Sequence, residues 1–133
     1  MTDDPTAQLH AAMPFTRLLG AIAVTSTPAQ VRLRLDWDGP RCTTAGVMHG
    51  GALMALADSA GGLCAFLNLP EGATGTATVT STTNFLRPVR SGYVEAVATP
   101  LHVGRTVIVV DTELRDADGR LAARVTQTQA VFR

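Results

Sequence analysis

The chain has 133 residues, 46% of them hydrophobic and 17% charged, which gives enough apolar content for one core and length for one ordinary domain over residues 1–133. Eleven acidic residues balance eleven basic ones, all arginine, so nothing marks a nucleic-acid footprint or an anionic membrane surface as a partner. Cys42 and Cys64 make neither a disulfide framework nor a metal signature, and His10, His49 and His102 lie too far apart in sequence for ligand spacing.

Residues 5–18 read as one or two short helices broken at Pro14. Asp3 and Asp4 stand where a secretory leader would carry basic residues, which predicts a cytoplasmic protein. Residues 20–26 give a weak strand signal ended by Pro28. Val31, Leu33 and Leu35 alternate with Arg32, Arg34 and Asp36, the pattern of a half-buried strand. A loop rich in Gly, Pro and Thr follows over 37–48. From Gly50 to Leu69 the alternation stops and Ala, Leu and Met dominate, predicting a long helix that is apolar nearly all round and therefore buried nearly all round. Asp58 and the small residues beside it argue against a membrane span. Four strand-like runs complete the chain, at 76–86, 93–103, 105–115 and 120–132, the last two joined by a hairpin turn at Asp116-Ala117-Asp118-Gly119. In the first of them Thr76, Thr78, Thr80, Thr82 and Asn84 fall on one face of a regular strand. One apolar helix and about six strands imply an α+β domain, with an antiparallel sheet curled around the helix.

Asp58 is the anomaly in that helix. Its neighbours three and four residues away are Met54, Ala55, Gly61 and Gly62, none of which can neutralise a carboxylate. An unpaired, partly buried carboxylate has a raised pKa and is a candidate acid–base group. The bland alternative is a residue that sits at a sheet edge or caps a neighbouring loop. The paired glycines, Gly61 and Gly62, point either to close helix–sheet packing or to clearance beside Asp58 for a ligand. His49-Gly50-Gly51 precedes the helix, where unpaired N–H groups and the dipole's positive end suit an oxyanion. Eight residues separate Gly50 from Asp58, about 12 Å along a helix. That is too far for both to serve one carbonyl within one subunit, and two antiparallel helices from two subunits would bring them together.

The stretch Val47-Met48-His49-Gly50-Gly51-Ala52-Leu53-Met54-Ala55-Leu56-Ala57-Asp58 resembles the signature of the hotdog-fold thioesterases, in the phenylacetate-pathway (PaaI-like) branch of the 4-hydroxybenzoyl-CoA thioesterase superfamily. Asn84-Phe85-Leu86-Arg87-Pro88-Val89, Gly104-Arg105 and Asp118-Gly119-Arg120-Leu121-Ala122 support it, over roughly residues 15–132. The resemblance implies a hotdog fold and an acyl-CoA thioesterase without metal or redox cofactor, coenzyme A being part of the substrate. It implies catalytic roles for Gly50 as oxyanion donor, Asp58 as nucleophile or general base, His49 in the same turn and Thr78 as the hydroxyl that holds water. Gly51 and Thr43 would contact substrate, Thr43 standing where the family often has Asn or Gln. Arg87, Arg90 and Arg105 are the candidates for the CoA phosphates, and bidentate guanidinium suits that task. Met54, Leu63 and Phe66 are candidates for lining the acyl pocket. The family also implies homodimers with shared sites, paired into tetramers. Two other readings compete: a hotdog enoyl-CoA hydratase or dehydratase, and a non-catalytic acyl-CoA-binding protein.

Overall fold

A computed structural model describes residues 3–133. Two short helices open the chain, α1 (Pro5–Ala12) and α2 (Pro14–Leu19), followed by strands β1 (Ile22–Ser26) and β2 (Val31–Asp36), the long helix α3 (Gly50–Leu67) and strands β3 (Gly75–Phe85), β4 (Tyr93–Val103), β5 (Val107–Asp116) and β6 (Leu121–Phe132). The sheet is antiparallel throughout, in the order β1-β2-β4-β5-β6-β3. This is the hotdog arrangement, a six-stranded sheet with one long helix laid across it.

Alternation explains the layering. Val31, Leu33 and Leu35 on β2, Val94, Ala96 and Ala98 on β4, and Ile108, Val110 and Leu114 on β5 are all fully buried on one face. They meet Leu53, Leu56, Ala57, Ala60, Cys64 and Ala65 of α3. Each large aliphatic side chain so buried contributes about 1.5–3 kcal/mol. The opposite face of the sheet is polar, with Glu95 held between Arg32 and Arg34, and Asp111 held by Arg124.

Two expectations from the sequence are corrected here. The helix is not buried all round: Gly51, Met54, Asp58 and Phe66 form an exposed stripe on the side away from the sheet. A single sheet covers only one side of a helix, so its apolar composition overstates the burial that one chain provides. Nor does β3 carry its five polar residues on one face. The pairing slips between Thr78 and Thr80, leaving Val79 as a bulge. Thr78 pairs with Gln129 on the helix-facing side, whereas Thr80, Thr82 and Asn84 pair with Thr128, Thr126 and Arg124 on the other. One extra residue reverses the alternation.

The two sheet edges differ. The β1 edge is covered by the chain's own N-terminal segment, with the Ala23 N–H donating to Thr6 Oγ1 and the His10 ring bonded to the Ala21 carbonyl. The β3 edge is open, and eight of its eleven residues are exposed.

Candidate active site

The first turn of α3 accounts for its polar groups almost completely. Ala52 and Leu53 donate to the His49 carbonyl at 2.9 and 3.2 Å. Gly51 N–H donates to His49 Nδ1 at 2.7 Å, making His49 the N-cap. A helix start has four orphan N–H groups, and among the described residues only that of Gly50 is left without a partner. It opens on a cleft of about 350 Å³ with Thr43, Phe85, Leu86 and Arg87 on its walls. A side chain at Gly50 would press on the Phe85 ring, its Cβ 3.1 Å away, so glycine is needed for close approach.

His49 therefore has a structural task. An accepting Nδ1 puts the ring hydrogen on Nε2, and the ring lies with Gly51 and Cys42 in a neighbouring cleft rather than in that of Gly50.

Asp58 lies two turns further along, in a cleft of about 520 Å³ lined by Met13, Gly62, Leu63, Phe66, Thr78 and Gln129 among others. Its carboxylate has no hydrogen bond or ion pair within the chain among the described residues. Partial burial among these neighbours raises its pKa above the ordinary aspartate value. The two glycines beside it divide the alternatives posed by the sequence. A Cβ on Gly61 would collide with the Gln127 side-chain amide, so that glycine serves packing, whereas a Cβ on Gly62 would meet nothing within 4 Å and faces the Asp58 cleft.

The structure thus brings Asp58 and Thr78 to one cleft, Gly50, Thr43 and Arg87 to a second, and His49 and Gly51 to a third. Arg87 and Arg90 flank a further cavity beside the β5–β6 turn. Arg105 sits in the β4–β5 turn, and the space beside the preceding Gly104 is filled by His102 and the Val107 carbonyl, 2.7 and 2.9 Å from where its Cβ would stand. Among the described residues no cluster of His, Cys, Asp and Glu has the makings of a metal site. Sequence reasoning missed Gln127 and Gln129, both buried. Their signal was present: they interrupt the inward face of β6 that begins Ala123, Val125.

Residues 45–123, which hold Gly50, Asp58 and Thr78, match the thioesterase superfamily model, and the chain belongs to that family. It is 43% identical to a Haemophilus influenzae protein named "Putative esterase" over 76 residues, 57% of this chain and 54% of that one. With a Mycobacterium tuberculosis protein of the same description it shares 32% identity over 91% of this chain and 88% of the relative. The matched stretch spans about half to three-fifths of the length of several such relatives. A solved thioesterase of Haemophilus influenzae superposes with a TM-score of 0.87 at 30% identity, over 99% of this chain and 91% of that one. A variant of the phenylacetic acid degradation protein PaaI of Thermus thermophilus gives 0.80 at 27%, over 88% and 97%.

Proposed function

We propose that the protein hydrolyses a small acyl- or aryl-CoA thioester to the free acid and CoA, in a site shared between two copies of the chain. One observation carries the reading. On the exposed side of a helix matched to the thioesterase family stand one unpaired donor, Gly50 N–H, and one unpaired carboxylate, Asp58. Each lines a cleft with no partner inside the chain, and a donor and an acceptor left open in this way on one helix are the two polar groups that hydrolysis of a thioester would use. Their separation of about 12 Å means that a single substrate meets the Gly50 of one subunit and the Asp58 of the other. The open β3 edge and the exposed stripe of α3 supply a surface for that second copy, and dimers of this kind would pair further into tetramers.

In this site Gly50 N–H polarises the thioester carbonyl. Asp58 accepts a proton from water as the water oxygen attacks the carbonyl carbon, and the carbonyl electron pair moves onto the oxygen facing Gly50. When the carbonyl re-forms, the C–S bond breaks and the CoA thiolate takes the proton from Asp58. Thr78 holds the water, Leu63 and Phe66 border the acyl group, and Arg87, Arg90 and Arg105 are the candidates for the phosphates. A raised pKa suits Asp58 to accept a proton. The competing route, direct attack by Asp58, expels the CoA thiolate and forms a mixed anhydride: in a single turnover in ¹⁸O-water, general-base hydrolysis labels only the released acid, whereas label in Asp58 arises only when water opens that anhydride at the Asp58 carbonyl. The central test is Asp58→Asn in a thiol-release assay across short, long and aromatic acyl-CoA esters. Turnover falls by about 10²–10⁴ while binding of a non-hydrolysable CoA thioether survives; near-normal turnover by the variant sinks the reading.

A further inference from the structure

The helix-facing side of β6 carries two glutamines in an otherwise apolar row. Gln127 is 0% and Gln129 2% exposed, and a polar group buried without a partner is costly. Their partners form a single line. Gln127 Nε2 donates to the Ala57 carbonyl at 3.4 Å. Gln129 Nε2 donates to Gln127 Oε1 and to Thr78 Oγ1, the latter at 2.6 Å. The inner end sets the direction. A backbone carbonyl only accepts, so Gln127 turns its nitrogen to Ala57 and its oxygen to Gln129. That oxygen only accepts as well, so Gln129 presents its nitrogen, which only donates. Thr78 Oγ1 must then accept, and its one hydrogen is left to point away from Gln129. Thr78 is exposed and lines the Asp58 cleft together with Gln129. The bulge at Val79 and the missing side chain at Gly61 belong to the same arrangement: the first keeps Thr78 opposite Gln129, the second leaves room for the Gln127 amide.

We infer that Gln129, fixed by Gln127, is a positioning residue that makes Thr78 a hydrogen-bond donor into the cleft. The hydroxyl then holds the attacking water by a lone pair on the water oxygen. Both water hydrogens remain for acceptors, one of them the Asp58 carboxylate. A hydroxyl free to rotate would also accept from the water, which turns a proton away from Asp58. This rests on the reading of Asp58 as the general base.

The test compares kcat and KM for thiol release in Gln129→Met, Thr78→Val and their double variant, with Asp58→Asn measured alongside. Gln129→Met and Thr78→Val each lower kcat by roughly ten- to a hundredfold, at the lower end of acid–base contributions, with little change in KM. The double variant is no slower than the slower single, because Gln129 acts only through Thr78. Gln129→Met strands the Gln127 oxygen, so Gln127→Met/Gln129→Met is the companion, removing both amides and keeping a cooperative melt. Loss of kcat in this folded pair, absent when Thr78 is already Val, supports the inference. Unchanged kcat in either Gln129 variant overturns it, as does the same further loss in the Thr78→Val background. If Asp58→Asn itself retains turnover, the functional reading fails first; if Asp58→Asn is dead and the Gln129 variants are fully active, only the relay fails.

Discussion

The first and third turns of α3 solve the same problem in opposite ways. In the first turn the backbone donors are taken up by one residue, His49, through its carbonyl and its ring, until a single N–H remains. In the third turn the side chain of Asp58 is left open, while the polar groups behind it, Gln127 and Gln129, are buried and paired. One end offers a lone donor and the other a lone acceptor. In the shared site proposed above each turn would supply one half, and the helix of a second copy, run antiparallel, would place the halves face to face.

The largest effect is expected when each half is disabled in a different chain. Gly50→Pro removes the one unpaired N–H at a position where proline is welcome. His49 already has φ −61° and ψ 132°, the extended backbone a following proline requires. Turnover falls by about 10²–10³, as for loss of an oxyanion donor, with Phe85 shifting slightly to admit the ring. Gly50→Pro and Asp58→Asn chains are then mixed, unfolded and refolded together. If sites are shared, half of the randomly paired dimers are mixed and each has one intact site, so about a quarter of the wild-type activity returns. A site contained within one chain returns none.

A smaller effect separates the two adjacent glycines. Alanine at Gly61 meets the Gln127 amide, so overpacking of about 1–3 kcal/mol outweighs the helix-propensity gain of about 1 kcal/mol, and the melting temperature drops. Alanine at Gly62 has open space, keeps that gain, and raises the melting temperature by a few degrees while narrowing the Asp58 cleft. Its kinetic signature is a higher KM for bulky acyl groups with kcat for short ones little changed. Equal stability changes at both positions would mean that the glycines do the same job.

The sequence carried much of this architecture because its signals were local. Strict alternation located β2, the change of period located α3, and Asp-Ala-Asp-Gly located the β5–β6 turn, where Gly119 adopts φ 81° and Asp116 Oδ1 accepts from the Asp118 and Arg120 amides. The failures were non-local. No residue type announces the bulge at Val79, since the slip comes from pairing with β6, and it alone decides which threonines face the helix. Likewise the exposed stripe through Met54, Asp58 and Phe66 carries one charge among apolar side chains, too little polarity to mark it as the outward side of the helix. The glutamine pair was legible, but only once β6 was read for its interruptions as well as its alternation.

The subtlest difference between the two half-sites is one of charge, and pH exposes it. The donor at Gly50 does not titrate. Asp58 does, and partial desolvation raises its pKa in the folded protein above the unfolded value. Below the unfolded pKa the carboxyl is neutral in both states and stability is at its full value. As pH rises the unfolded chain ionises first, and stability falls until the folded pKa has been passed. The ionised Asp58 is therefore a standing cost at neutral pH, which Asp58→Asn removes. Denaturant titrations at one protein concentration show the variant more stable than wild type at neutral pH, with the difference closing as pH falls through the raised pKa toward the ordinary carboxylate range. The same raised pKa places the acid limb of kcat/KM above that of an ordinary aspartate. A stability difference that stays constant across this window would mean that the half-site at Asp58 holds no strained charge, and that its contrast with Gly50 is geometric alone.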